Sequence, residues 1–151
     1  MTEDLRNIIT EQDEWSIAEG ENNQHLFILR FRPHLLPFVK TQKYNNRLIV
    51  LLEYKTITSD LLPSDDQLEL FERIENDIIT EIENNLSSVL AFVYTGNGKR
   101  EWHFYTQNIQ EAEHKINKVL DRINYSETIQ LQEEEDPEWQ EYHSVLLGAE
   151  D

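Results

Sequence analysis

Residues Ser88 to Thr95 read Ser-Val-Leu-Ala-Phe-Val-Tyr-Thr and present no polar face. In an extended chain successive side chains point to opposite sides. Strict alternation puts Leu90, Phe92 and Tyr94 on one side and Val89, Ala91 and Val93 on the other. A strand apolar on both sides belongs inside a sheet whose two faces both need cover. The next residues set its neighbour. Gly96-Asn97-Gly98 is a turn in which Asn-Gly supplies the positive-φ positions of a tight hairpin. Lys99 to Thr106 (KREWHFYT) then returns as the antiparallel partner.

The flanking segments fall into place around this hairpin. Arg47 to Tyr54 (RLIVLLEY) is a nearly continuous apolar run and reads as a central strand. Ser64-Asp-Asp-Gln67 is a capping box, and Leu68, Phe71, Ile74, Ile78 and Ile82 follow at helical spacing. A second helix starts at Asn108, with Ile109, Ala112, Ile116, Val119, Leu120 and Ile123 as its apolar stripe. Glu127 to Glu133 alternates and reads as an edge strand with Ile129 and Leu131 inward. The order strand–helix–strand–strand–helix–strand is the ferredoxin-like split βαβ order, an α+β fold with both helices on one face of an antiparallel sheet.

Additions lie at both ends. Residues 3–12 are expected to form a short helix. Trp15 to Ala18 and His25 to Arg32 (HLFILRFR) make a hairpin across a turn at Gly20 to Asn23. Pro33 to Asn46, with Pro37 inside, reads as an irregular connection. Asp136-Pro137-Glu138 opens a last helix, with Asp136 as cap and Pro137 in the first position. Trp139, Tyr142, His143 and Leu146 share one face of it, and Trp139 is expected to be buried and to anchor it. The hairpin and this helix are the material available to cover the second sheet face; what they leave open is a candidate binding or homodimer surface. The whole chain, 1–151, reads as a single domain with its core at about 14–147.

Composition excludes several functions. With no cysteine there is no disulfide, thiolate metal site or cysteine nucleophile. Thirteen basic against thirty acidic residues give a net charge of −17, which argues against direct nucleic-acid binding and suits a basic protein partner. No apolar run is long enough to span a membrane, and the first twenty residues show no signal-peptide pattern, so a cytoplasmic address is expected. Charge is also segregated. Between Leu26 and Thr56 six basic residues face the single acid Glu53, whereas from Glu127 onward there are nine acids and no Lys or Arg.

The sequence offers no phosphate loop, zinc signature or nucleophile elbow, so no catalytic residue, metal or cofactor is expected. Its candidates are binding residues. Arg30 and Arg32 share one side of a strand and can hold a carboxylate or phosphate; pairing with the acidic C-terminal segment of the same chain is the better expectation. Arg100 and Trp102 share a face and form either an exposed hot spot or a tryptophan core under an arginine. His103 and Tyr105 lie on the opposite face of that strand. Glu133, Glu134, Glu135 and Asp136 form either a solvated connection or an acidic docking run. Trp139 and Tyr142 complete the set.

Several of these pieces recur together: Trp15 opening the first strand, an Arg-rich second strand, a Leu-Pro before the first crossover helix, the segment Gly96 to Tyr105, and Asp136-Pro137-Glu138-Trp139 with Tyr142. In this the chain resembles the bacterial domain of unknown function catalogued as family 695, over about residues 14–147. It is similar, more distantly, to the regulator of ribonuclease activity B, an acidic ferredoxin-like inhibitor of the RNA-degrading endonuclease E. The first resemblance carries no catalytic residues; the second implies regulation by protein binding. The expected function is therefore a non-catalytic regulatory or binding protein whose acidic surface engages a basic partner such as a nuclease. The alternatives are a toxin immunity protein, and an enzyme or small-ligand binder with a pocket near Trp102 and His103, lined by Arg30, Arg100, Tyr105 and Trp139.

Overall fold

The computed structural model describes residues 2–22, 25–56, 60–125 and 127–150. Among them the chain forms α1 (Thr2–Ile8), β1 (Ser16–Asn22), β2 (His25–Phe31), α2 (Leu36–Lys40), β3 (Asn46–Glu53), α3 (Asp65–Ile82), β4 (Ser88–Gly96), β5 (Lys99–Thr106), α4 (Ile109–Ile123), β6 (Ile129–Glu135) and α5 (Gln140–Glu150). The six strands make one antiparallel sheet in the order β1-β2-β4-β5-β3-β6. It is an α+β molecule with cover on both faces of the sheet.

One face carries α3 and α4. Ser64 caps α3: its hydroxyl accepts from the Gln67 amide at 3.2 Å, and its own amide donates to the Gln67 side chain at 2.8 Å. Asn108 caps α4 and Asn124 ends it in the left-handed region at φ 57°. Phe71, Ile74, Ile78 and Ile82 of α3 and Ala112, Ile116 and Val119 of α4 close over Leu48, Val50, Leu52, Leu90, Val93, Trp102 and Phe104. Leu68 begins the stripe but stays at the rim, 36% exposed.

The second face has its own core. Leu5, Ile8 and Ile9 from the α1 region, Leu35 and Phe38 around α2, Tyr44, Trp139 and Tyr142 pack on Phe31, Val89, Ala91, Phe92 and Tyr105. Of the two pieces expected to cover this face, the Trp139 turn and its helix do so, whereas the hairpin extends the sheet beside β4 and the α1 and α2 regions supply the rest of the cover. The strict alternation expected of β4 is also broken. Leu90 and Val93 join the first core while Val89, Ala91 and Phe92 join the second, because the register against β5 shifts between Leu90 and Phe92. A bulge adds one residue to one strand and re-aims those after it.

Three local expectations change. Gly20 lies in β1, paired with Phe27, whose ring sits where a Cβ would be, 2.4 Å away. The register pairs Asn22 with His25, so the expected turn from Gly20 is strand as far as Asn22, and Asn23 lies outside the described residues. The connection from Pro33 to Asn46 contains α2; Pro37 sits in its first turn, where the missing N–H costs nothing, and Phe38 is buried. The last helix starts at Gln140, not at Pro137. Asp136 to Trp139 is a turn closed by the Trp139 amide on the Asp136 carbonyl, with Trp139 left-handed at φ 57°. Trp139 is nonetheless buried at 1% exposure, stacked on Tyr105 at 3.8 Å, with its indole N–H on the Tyr44 carbonyl at 2.9 Å.

Candidate functional site

The alternation of β5 decides which candidate residues meet. Arg100 and Trp102 face α3, while His103 and Tyr105 face the second core. The pocket expected to gather Arg30, Arg100, Trp102, His103, Tyr105 and Trp139 is thus divided between the two faces of the sheet. The exposed hot spot is excluded as well: Trp102 is fully buried and Arg100 lies over it, 5.4 Å from the ring.

On the α3 side, two buried acids organise the arginines. Glu83, just past the end of α3, receives Arg32 Nη1 at 2.7 Å and the Leu90 amide at 2.9 Å. Asp13 receives Arg32 Nε at 2.9 Å, and the Leu90 carbonyl takes Nη1 at 2.9 Å. Glu75 receives Arg30 through two bonds of 3.1 Å and the Trp102 indole at 3.0 Å. Arg100 donates to Thr95 Oγ1 at 3.0 Å. Trp15 stacks against both Arg30 and Arg32, at 4.7 and 4.8 Å. Arg30 and Arg32 do pair within the chain, but with α3 and Asp13, not with the acidic C-terminal segment. The partner was visible in sequence: Glu75 occupies the position between Phe71 and Ile78 on the apolar stripe, where a carboxylate needs a buried cation.

On the second face the basic partner of the C-terminal acids is Arg47. It pairs with Glu134, lies 3.7 Å from Asp136, and meets His103 Nδ1 at 2.8 Å. His103 Nε2 is 2.8 Å from Glu101. A guanidinium only donates, so Nδ1 accepts, Nε2–H donates to Glu101, and the imidazole is neutral. Burial pushes the His103 pKa below its ordinary value despite Glu101, and Arg47 pushes the same way. Tyr105 donates to Asp136 at 2.7 Å, and Asp136 accepts the Gln140 and Glu141 amides at 2.8 and 3.2 Å. Asp136 is therefore a buried cap acting across the turn. Tyr142 donates to the Arg32 carbonyl at 2.6 Å. These groups hold α5 and the turn on the sheet.

The acidic run is solvated, but it is strand and not a connection. Glu133, Glu134 and Glu135 end β6, which pairs with β3 alone and forms one edge of the sheet. All three are exposed. Among the described residues Glu133 and Glu135 form no ion pair. Glu133 instead meets Glu113 of α4, whose carboxyl is held above the usual range by that contact. No group of three His, Asp or Glu is placed to hold a metal among the described residues, and no helix there is long and apolar enough to cross a membrane.

A family model described as a family of unknown function, DUF695, matches residues 13–147. No curated protein and no solved structure matches the chain.

Proposed function

We propose that this chain, which belongs to the DUF695 family of unknown function, is a non-catalytic cytoplasmic regulator that binds a basic protein partner along β6. The observation that carries the reading is an edge strand whose exposed end carries three carboxylates, divided between the two faces of the sheet. An edge offers unpaired backbone groups to a partner chain, and the carboxylates select that chain by charge. Arg47 neutralises only Glu134, and the Glu113–Glu133 contact leaves like charges in place. Read this way, the partner is a nuclease held in check by an acidic regulator, or a nuclease toxin with this chain as its immunity protein. We also read β3-α3-β4-β5-α4-β6 as a ferredoxin-like core, a reading supported by its strand order β4-β5-β3-β6 and by helices packed on one face.

The test is capture from the native cell with wild type and the Glu133→Gln/Glu134→Gln/Glu135→Gln variant, across a salt series. A basic protein held by wild type at low salt, released as the Debye length falls to about 8 Å, and lost by the variant supports the reading. Capture indifferent to salt and to the variant overturns it.

A further inference from the structure

A buried charge is stable only when it is paired. Arg30 and Arg100 share one buried carboxylate, Glu75, and Arg30 and the Trp102 indole already occupy it. Arg100 Nη2 is left 3.6 Å from Glu75 Oε1, beyond hydrogen-bond reach, and its Nε has no partner among the described residues. Its side chain is only 4% exposed. Among the described residues, two guanidinium groups therefore stand against one carboxylate within ion-pair distance, with Glu72 acting on Arg100 from farther off.

A cavity of about 430 Å³ opens on this unmatched charge. Arg30, Arg100 and Thr95 form its polar side, and Ile28, Pro63 and Leu68 its apolar side. Its size lies within the range of small-ligand sites, about 300–1,000 Å³. We propose that this cavity binds a small monocarboxylate with an apolar body, its carboxylate taken by Arg100 and Arg30 and its hydrocarbon laid against Ile28, Pro63 and Leu68.

The planar fork of arginine matches a carboxylate, and a desolvated site strengthens that bond. A ligand carboxylate would give the two guanidinium groups a second anion in direct contact, beside Glu75. Asp60 and Glu72 also line the cavity, which disfavours a second negative charge on the ligand. Arg32, on the same sheet face, has its two carboxylates and offers no such vacancy. The cavity is built on β2, β4, β5 and α3, and β3 separates these strands from β6. The site stands whether or not β6 binds a protein.

Octanoate is a suitable probe, followed by calorimetry and by the amide and indole NMR signals of the full chain. We expect saturable one-site binding that moves the Trp102 indole signal, because that N–H donates to Glu75 beside Arg100. Octanol, octylamine and the dicarboxylate suberate should each bind at least about tenfold more weakly. Arg100→Gln should weaken octanoate by at least about tenfold. Leu68→Trp, which fills the cavity from its exposed rim and touches no charge, should abolish binding with the melting temperature unchanged, and it serves as the test if Arg100→Gln fails to fold. No saturable octanoate binding, octanol binding as tight as octanoate, or full binding by Leu68→Trp overturns the proposal.

Discussion

Arg32 and Arg100 are the same residue type on the same face of one sheet, and both are almost fully buried, at 2% and 3% exposure. Each meets an acid from the same stretch of chain, Glu83 or Glu75. Burial opposes the charge of both. At Arg32, Glu83 and Asp13 outweigh it and raise the pKa. At Arg100 the attraction of Glu75 does not, Arg30 adds repulsion, and the pKa is lowered. Burial alone thus does not say whether an arginine is a structural tie. The ratio of acids to bases in direct ion-pair contact does: two to one at Arg32, one to two at Arg30 and Arg100, where Glu72 acts only from a distance.

The comparison fails or sharpens on stability measurements. Arg32→Met should cost about 3–5 kcal/mol in urea unfolding, because it strands Glu83 and Asp13 without their cation. A pH series adds the third buried cluster, where Arg47 faces a neutral imidazole. The folded pKa of His103 is lowered, so the unfolded chain takes up the proton first as pH falls. Its contribution is complete above about pH 6.5 and is lost below it. Urea midpoints at about pH 8, 6.5 and 5.5 should show this step in wild type and not in His103→Gln. Arg100→Met should cost no more than about 1 kcal/mol, since it leaves Arg30 and Glu75 as a matched pair and keeps the volume filled. A loss equal to that of Arg32→Met would erase the distinction. Glu133→Gln should change stability least, by under about 0.5 kcal/mol, and toward stabilisation, because it relieves Glu113.

Local signals were the legible part of this fold. The capping box at Ser64, the Asn97-Gly98 turn and the apolar stripes of α3 and α4 follow from contacts a few residues apart, and each is present. The burial of Trp139 was legible from its bulk, but its left-handed backbone was not, because only packing against Tyr44 and Tyr105 imposes it. The bulge in β4 has no signature in the six apolar residues from Val89 to Tyr94; it depends on register against β5. Charge pairing failed for the same reason. Block composition suggests that Arg30 and Arg32 meet the C-terminal acids, but strand order gives Glu134 and Asp136 to Arg47, and helix packing brings Glu75 and Glu83 to the arginines. One pattern in the sequence does point to the pairing: Glu75, an acid on the apolar stripe of α3.

The two edges of the sheet share a property that bears on crowding rather than recognition. β6 ends in Glu133 to Glu135, and at the far edge β1 exposes Glu19 and Glu21. Two copies approaching edge to edge would set carboxylate against carboxylate, which opposes growth of a continuous sheet from molecule to molecule. The guard is electrostatic and therefore conditional. At about 1 M salt the Debye length falls to about 3 Å, and the edges become screened strands with open backbone groups. Edge-to-edge association at high salt, reversed by dilution, is the behaviour such edges confer.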